Sequence, residues 1–178
     1  MKKKPLPEGE LTHLDDEGRA RMVNVGEKQI SHRCCVARCE VAMEPQTLQR
    51  ISSGDLPKGD VLAVARIAGI QAAKQTAGWI PLAHPLPIDS VEILLVADSS
   101  ECCVRIQATV ESHWRTGVEM EALVAVSAAG LTVYDMCKAI DRGMCVQNVR
   151  LVSKTGGKSG RFVRPGEEVS RFGPKGDE

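Results

Sequence analysis

Hydrophobic and polar positions along the chain predict strands that alternate with helices. Residues 33–43 suit a first strand, with valines among their apolar positions. Residues 91–97 and 103–110 alternate between apolar and polar side chains, as half-buried strands do, and the polar segment 98–100 between them predicts a hairpin turn. Residues 145–152 are predicted to form a last strand.

A short helix and a longer one are predicted after the first strand. Pro45 suits the first turn of the short helix, because its fixed φ and missing N–H are tolerated there, and Gly54 suits its end. Asp60 suits the N-cap of the longer helix. Its buried stripe is predicted from apolar residues at helical spacing, which are Val61, Val64, Ile67, Ala68 and Ala72.

A third, long helix is predicted in the second half of the chain. Residues 118–141 are rich in Ala, Leu and Met, and Gly143 suits the end of this helix. Prolines within residues 81–87 exclude a helix there and leave a rigid loop that presents His84. The resulting order of elements predicts an α+β fold of the ferredoxin-like, split βαβ type, an antiparallel sheet with helices on one face.

The length of the chain predicts one domain. Its 178 residues suffice for a single core. We place the ferredoxin-like domain at residues 1–160, with an extended N-terminal segment. The charged residues 161–178, punctuated by Pro and Gly, are predicted to form a mobile C-terminal tail.

Charge and aromatic content argue against two kinds of partner. The chain carries 23 Lys and Arg against 23 Asp and Glu, so no overall field favours nucleic acid or a membrane surface. Aromatic residues are too scarce, at 3%, for a platform that stacks single-stranded bases. The most apolar run, 118–140, is interrupted by charged residues, and the polar N-terminus lacks a signal-peptide core. We therefore expect a soluble, cytoplasmic protein.

The cysteines predict reduced thiols and no metal site. There are seven, with no Cys-x-x-Cys pair. Cys34 and Cys35 are adjacent, and adjacent side chains of a strand point to opposite faces of the sheet. A shared metal ligand set at this position is therefore not expected.

The long helix carries charged residues within an otherwise apolar sequence. Asp135 and Lys138 lie three residues apart, so they share a face and can form an ion pair. Glu119 and Glu121 open the same helix, where carboxylates also suit the positive end of the helix dipole. A structural reading, with caps and one ion pair, and a functional reading both fit these four residues.

Three further side chains could serve a site that binds an anion or transfers protons. Lys58 stands beside a glycine, and Lys154 opens a glycine-rich segment, so ammonium and backbone N–H groups could converge on phosphate oxygens. His84 is a lone histidine, and such residues are more often structural than catalytic. Its presentation on a stiff loop favours a function.

Several long strings in the sequence resemble one enzyme family, cyclic pyranopterin monophosphate synthase. The strings are KGDV at 58–61, ARIAGI at 65–70, IPLAHPL at 80–86, TGVEMEAL at 116–123, LTVYDMCKA at 131–139 and KTGGKSG at 154–160, with LTH at 11–13 and MV at 22–23. They occur in order over roughly residues 11–160, and motifs of this length are far more specific than a short pattern.

The resemblance implies a reaction, a fold and an assembly. The family converts 3′,8-cyclo-7,8-dihydroguanosine 5′-triphosphate into cyclic pyranopterin monophosphate and pyrophosphate, a step in molybdenum cofactor biosynthesis. It uses no redox cofactor. Its ferredoxin-like chains form a homohexamer, a trimer of dimers, with each pocket between subunits. Such a pocket would allow Lys58 and Lys138 to reach one site from different chains.

The resemblance also assigns residues. The family's active-site acid matches Asp135, and its essential lysines match Lys58 and Lys138. Its substrate-contact positions match Leu82, Ala83, His84, Met120 and Glu121. Other pocket residues match Glu119 and Lys154.

Two positions depart from the family pattern, and they keep an alternative open. Asn24 stands where the family has Asp, and Ala83 stands where it has Cys. The alternative is a non-catalytic paralogue of the same fold that binds a nucleotide or pterin. A ferredoxin-like RNA-binding domain is a weaker reading, because the predicted strands offer no aromatic residue except Trp114 close to the third strand.

Overall fold

The computed structural model describes residues 17–158, 160–169, 172 and 173. The helices are α1 (Pro45–Ser53), α2 (Val61–Lys74), α3 (Thr76–Trp79) and α4 (Glu119–Cys137). The strands are β1 (Ser31–Ala42), β2 (Ser90–Asp98), β3 (Cys103–Trp114), β4 (Cys145–Thr155) and β5 (Phe162–Val163). The string at 11–13 and the start of the predicted N-terminal segment lie outside the described residues.

The strands form one sheet in the order β2-β3-β1-β4-β5, and every neighbouring pair is antiparallel. Helix α4 packs across β1, β3 and β4, while α2 packs on α4 and β2. The core lies between these helices and the sheet. The predicted ferredoxin-like α+β fold is confirmed.

The predicted N-cap of α2, the predicted end of α1 and the predicted β2–β3 turn are confirmed. The Asp60 carboxylate caps α2 by accepting a hydrogen bond from the N–H of Ala63 at 2.9 Å. Gly54 ends α1 in the left-handed region, with φ of 72°. In the β2–β3 turn, the Asp98 carboxylate accepts hydrogen bonds from the backbone N–H and the hydroxyl of Ser100.

The predicted buried stripe of α2 is confirmed at Val61 and Ala72 and is wrong at Val64 and Ile67. The buried residues of α2 are Val61, Ala65, Gly69, Ala72 and Ala73, whereas Ile67 is 63% exposed and Val64 is also exposed. The reason is that α2 lies very close to α4. A Cβ at Gly69 would stand 3.1 Å from the carbonyl oxygen of Ala125, so only small side chains fit between the helices. Val64 and Ile67 therefore face outward.

Helix α4 ends at Cys137, a few residues before the predicted end near 141. The chain turns there because the buried carboxylate of Asp141 accepts hydrogen bonds from the N–H of Glu44, the hydroxyl of Thr47 and the N–H of Gly143. By length and composition α4 could cross a membrane, but 56% of its most apolar stretch is buried inside the fold. It is the central helix of the core.

The C-terminal part of the chain adds a strand that the sequence did not predict. Strand β4 continues to Thr155, and the two residues of β5 pair with Ser153 and Lys154. The residues after β5 lie against the sheet, where Arg164 donates its backbone N–H to the carbonyl of Val152 at 2.8 Å. The mobility expected of residues 161–178 stays a prediction.

Candidate functional site

The residues assigned by the family resemblance lie in two groups. The first group surrounds a cavity of about 210 Å³, which we call the His84 cavity. Its lining includes six of the assigned residues, Leu82, Ala83, His84, Glu119, Met120 and Glu121. The second group is Lys58, Asp135 and Lys138, which we call the Asp135 cluster.

The proline-rich loop and the first turn of α4 together form the His84 cavity. The Glu119 side chain folds back against Gly117, where a Cβ would overlap its carboxylate, so a larger residue there would displace this carboxylate. The same carboxylate pairs with the ammonium of Lys154 on β4 at 3.0 Å. Lys154 thereby lies at the edge of the cavity, beside the carboxylate that opens α4.

Glu121 has the most perturbed carboxyl group of the site. The residue is only 4% exposed, and burial, assisted by the charge of Glu119, raises its pKa to about 7. A carboxyl group with a pKa near neutral pH exchanges protons readily in both directions. Glu121 is therefore equipped for general acid–base chemistry as well as for contact.

His84 holds the loop that precedes β1. Its Nε2 lies 2.7 Å from the carbonyl oxygen of Val23. A carbonyl oxygen only accepts hydrogen bonds, so Nε2 carries the proton and Nδ1 is the nitrogen available for proton exchange. The hydrogen bond brings Val23 and Val25 into the wall of the cavity.

Asn24 lies in the same loop, but its side chain does not line the cavity. Its Oδ1 accepts a hydrogen bond from the N–H of Gly26 at 2.8 Å, and the residue is exposed. An aspartate at this position would accept the same hydrogen bond. The observed role of Asn24 is to shape the turn.

Sequence reasoning missed two basic residues around this loop. Lys28 lines the His84 cavity, and the guanidinium of Arg115 donates a hydrogen bond to the carbonyl of Gly26 at 2.7 Å. Neither residue belongs to a pattern that marks it in a single sequence. Their positions depend on how the loop folds back on β3, which is a long-range contact.

In the Asp135 cluster, one carboxylate binds two ammonium groups. Lys138 Nζ lies 2.6 Å from Oδ1 of Asp135, and Lys58 Nζ lies 3.1 Å from Oδ2 and 2.9 Å from the backbone oxygen. Both lysines lower the pKa of Asp135, and the hydrogen bond from Lys138 has the larger effect. Asp135 in turn raises the pKa of Lys138. The pair therefore keeps Lys138 protonated, so that it acts as a cation.

The two groups are far apart within one chain. Glu119 begins α4 and Asp135 lies in its last turn, and sixteen residues at 1.5 Å each separate them by about 24 Å along the helix axis. Lys58 and Lys138, in contrast, meet at the same carboxylate in one chain. The idea that these two lysines reach a site from different chains is wrong for this arrangement.

A buried thiol, that of Cys35, lies near the start of α4. Cys35 pairs with Lys154 in the sheet, and burial, with the charge of Glu119, raises its pKa to about 12. It is a neutral packing residue at physiological pH. Within the described ranges, no group of three His, Cys, Asp or Glu side chains is arranged to hold a metal ion.

Most of the chain matches a known family of proteins. The MoaC family profile matches residues 22–157. The chain belongs to the MoaC family.

Three similar proteins from other organisms have the same name. A protein of Thermomicrobium roseum called cyclic pyranopterin monophosphate synthase is 55% identical over 160 residues, which are 90% of this chain and 96% of that protein. Proteins of the same name from a Roseiflexus species and from Herpetosiphon aurantiacus are 59% and 56% identical over 154 and 155 residues. These alignments cover 86% and 87% of this chain and 98% and 94% of those proteins.

The raised pKa of Glu121 predicts a pH-dependent stability. Because the folded pKa, about 7, lies above the ordinary value of 4.5, the contribution of Glu121 to the free energy of unfolding should be complete below pH 4.5 and should be lost as the pH rises to about 7. At about 1.4 kcal/mol per pKa unit, the total fall is a few kcal/mol. We expect Glu121→Gln to remove this fall, as measured by urea unfolding at pH 5 and pH 8.

The control is Glu92→Gln, which changes an exposed carboxylate on β2. It should keep the pH dependence of the natural protein. An unchanged slope in Glu121→Gln would mean that Glu121 is ionised in the fold at both pH values.

Proposed function

We propose that the chain is a cyclic pyranopterin monophosphate synthase, which converts 3′,8-cyclo-7,8-dihydroguanosine 5′-triphosphate into cyclic pyranopterin monophosphate and pyrophosphate in molybdenum cofactor biosynthesis. The main support is its similarity, over most of its length, to proteins of that name. A cytoplasmic location is part of the proposal, because a nucleoside triphosphate derivative is a cytoplasmic metabolite.

The side chains around the His84 cavity suit the proton transfers of this reaction. Opening the purine ring and closing the pyranopterin requires several protons to move. Glu121 titrates near pH 7, and Nδ1 of His84 is available because Nε2 binds a carbonyl. In this proposal the small residue Ala83 leaves room for the substrate beside both groups.

The three lysines suit the triphosphate. Lys58 and Lys138 are oriented by Asp135, and Lys154 is oriented by Glu119. Ammonium groups held in place by carboxylates cost little reorganisation when a phosphate arrives. In the proposal they bind the triphosphate and stabilise the departing pyrophosphate.

One chain does not bring these groups together, so the proposal includes an assembly. A site that uses both the His84 cavity and the Asp135 cluster must combine opposite ends of α4 from two chains. The homohexamer implied by the resemblance, a trimer of dimers, would provide this arrangement.

An exposed apolar surface next to the Asp135 cluster supports such an assembly. Trp79 is 54% exposed, and Leu131, Val64 and Ile67 are also exposed on the outer faces of the helices. A groove of about 480 Å³ between α2 and α4 runs from Trp79 to Asp135. Apolar groups on this scale are costly in water, and a second copy of the chain would cover them.

The direct test is turnover of the cyclised substrate by purified protein, with product and pyrophosphate measured together. Equal amounts of both are expected. We expect Asp135→Asn to lower turnover about a hundredfold or more with little loss of melting temperature, because the Asp135 side chain is 57% exposed. Glu92→Gln is the control and should match the natural protein. Unchanged turnover in Asp135→Asn with a sharply lower melting temperature would make Asp135 structural.

Mixing inactive variants tests the shared site. Lys58→Ala removes a group from the Asp135 cluster, and Lys154→Ala removes one from the edge of the His84 cavity. If each site takes one group from each chain, random reassembly leaves about a quarter of the sites intact. We therefore expect the mixture, after dissociation and reassembly, to regain about a quarter of the natural turnover.

The matched control is a mixture of Lys58→Ala with Lys138→Ala, which both alter the same cluster and should regain no activity. Recovery in this control, or a fully active monomer in sedimentation velocity, would contradict the shared site. Subunit exchange is verified in both mixtures by mass spectrometry.

Asn24 favours the alternative of a paralogue that binds without catalysis, because it replaces an acid of the family pattern. An aspartate would keep the hydrogen bond to Gly26 and add only a charge. We expect the natural protein to be active and Asn24→Asp to raise turnover by about a hundredfold or less, within what one acid–base group supplies. Single-turnover rates across pH provide the measurement. Equal rates at every pH would make Asn24 a bystander, and absence of turnover in both proteins would favour the paralogue.

A further inference from the structure

The open face of the sheet, opposite the helices, carries arginines on three neighbouring strands. They are Arg38 on β1, Arg105 on β3 and Arg150 on β4. All three contact the described residues after Gly160, which we call the C-terminal strap (160–169, 172 and 173). Arg105, for example, donates a hydrogen bond to the carbonyl of Gly173 at 2.9 Å.

Glu167 is the centre of these contacts. One of its carboxylate oxygens accepts a hydrogen bond from Arg38 at 2.7 Å, and the other accepts one from Nε of Arg150. The side chains of Glu167 and Arg38 are only 14% and 10% exposed. Burial alone would raise the pKa of Glu167, but Arg150 and Arg38 together lower it below its ordinary value. The carboxylate therefore remains charged between two strands.

Backbone contacts extend the same connection. Arg38 also donates to the carbonyl of Glu168 at 2.9 Å and stands over the ring of Phe172, 5.6 Å from its centroid. Arg164 donates from Nε to the carbonyl of Leu151 at 2.7 Å. Arginine side chains thus make most of the described polar contacts between the strap and the sheet.

The strap continues from the segment that carries Lys154. In the sheet, Phe162 of β5 is the partner of Lys154, and the turn between them begins with Gly156 and Gly157. A Cβ on Gly156 would overlap the carbonyl of His32, and one on Gly157 would overlap the Arg33 guanidinium. The turn is therefore pressed directly onto β1.

A strand of two residues cannot hold itself in a sheet, because isolated short pairings are marginal in water. Contacts made by other residues must therefore stabilise strand β5. Among the described contacts of the strap, the ion pairs of Glu167 with Arg38 and Arg150 join the most charged groups. Loss of this carboxylate would remove the one strap side chain that both guanidinium groups bind, while Arg38 keeps its hydrogen bond to Gln107 and Arg150 keeps its ion pair with Glu40 on the sheet. The pairing of β5 with Lys154 would then weaken.

We propose that Glu167 is a positioning residue for the phosphate-binding side of the site: by fastening the strap to β1 and β4, it keeps β5 paired and holds Lys154 and the glycine turn in place. The role of Lys154 in this inference rests on the proposed function. The fastening of the strap does not.

The test compares Glu167→Gln with Glu168→Gln in the full-length protein. Glu168 is adjacent and exposed, and only its backbone carbonyl contacts Arg38. We expect Glu167→Gln to speed amide hydrogen exchange in residues 151–158 about tenfold. We also expect the Kd for inorganic pyrophosphate, by calorimetry, and the KM for the cyclised substrate to rise about three- to tenfold, with kcat little changed. Glu168→Gln should match the natural protein in every measurement.

Glu167→Asp keeps the charge on a shorter side chain and should give intermediate values, and it serves if Glu167→Gln folds poorly. Faster exchange with unchanged pyrophosphate affinity and KM would overturn the positioning role, and unchanged exchange would overturn the fastening. If the natural protein neither turns over substrate nor binds pyrophosphate, the proposed function fails and the role of Lys154 fails with it. Hydrogen exchange then decides the fastening of the strap alone.

Discussion

The close approach of α4 to its neighbours is the constraint on which the rest of the structure depends. A Cβ at Gly69 would lie 3.1 Å from the Ala125 carbonyl, and one at Gly130 would lie 3.0 Å from the side chain of Val146. Small residues on both sides let α4 lie deep between α2 and the sheet, as dense packing requires. The position of α4, and with it the position of both helix ends, is therefore fixed by packing. Its first turn shapes the His84 cavity, and its last turn carries Asp135.

The fixed position of α4 explains why the His84 cavity and the Asp135 cluster are each well organised and yet lie far apart. Every lysine of the proposed site already has a carboxylate partner in the same chain, which orients it. The charge that a triphosphate would meet is thus arranged before binding, as electrostatic preorganisation requires. What one chain lacks is proximity between the two ends, and the exposed apolar residues beside the Asp135 cluster are consistent with a neighbour at that place.

The sequence predicted what depends on local chemistry. The cap at Asp60, the end of α1 at Gly54 and the stiff loop around His84 follow from backbone preferences of a few residues. The long family strings marked residues that the structure brings together in the His84 cavity and the Asp135 cluster. The outward face of α2 was mispredicted, because periodicity shows that a helix has apolar positions but not which neighbour it meets. The strap was missed, because Arg38 and Glu167 are 129 residues apart. The distance between the His84 cavity and the Asp135 cluster could be recognised only in the three-dimensional structure.

The hydrogen bond from His84 to the carbonyl of Val23 has a consequence for how this site can evolve. The imidazole binds a backbone carbonyl, which every amino acid provides, so this hydrogen bond does not depend on the side chain at position 23. An exchange between Asn and Asp at position 24 therefore leaves the path of the loop intact, since an amide and a carboxylate both close the turn to Gly26. This exchange changes the charge of the loop and keeps both hydrogen bonds that shape it, so charge and loop geometry can vary independently here.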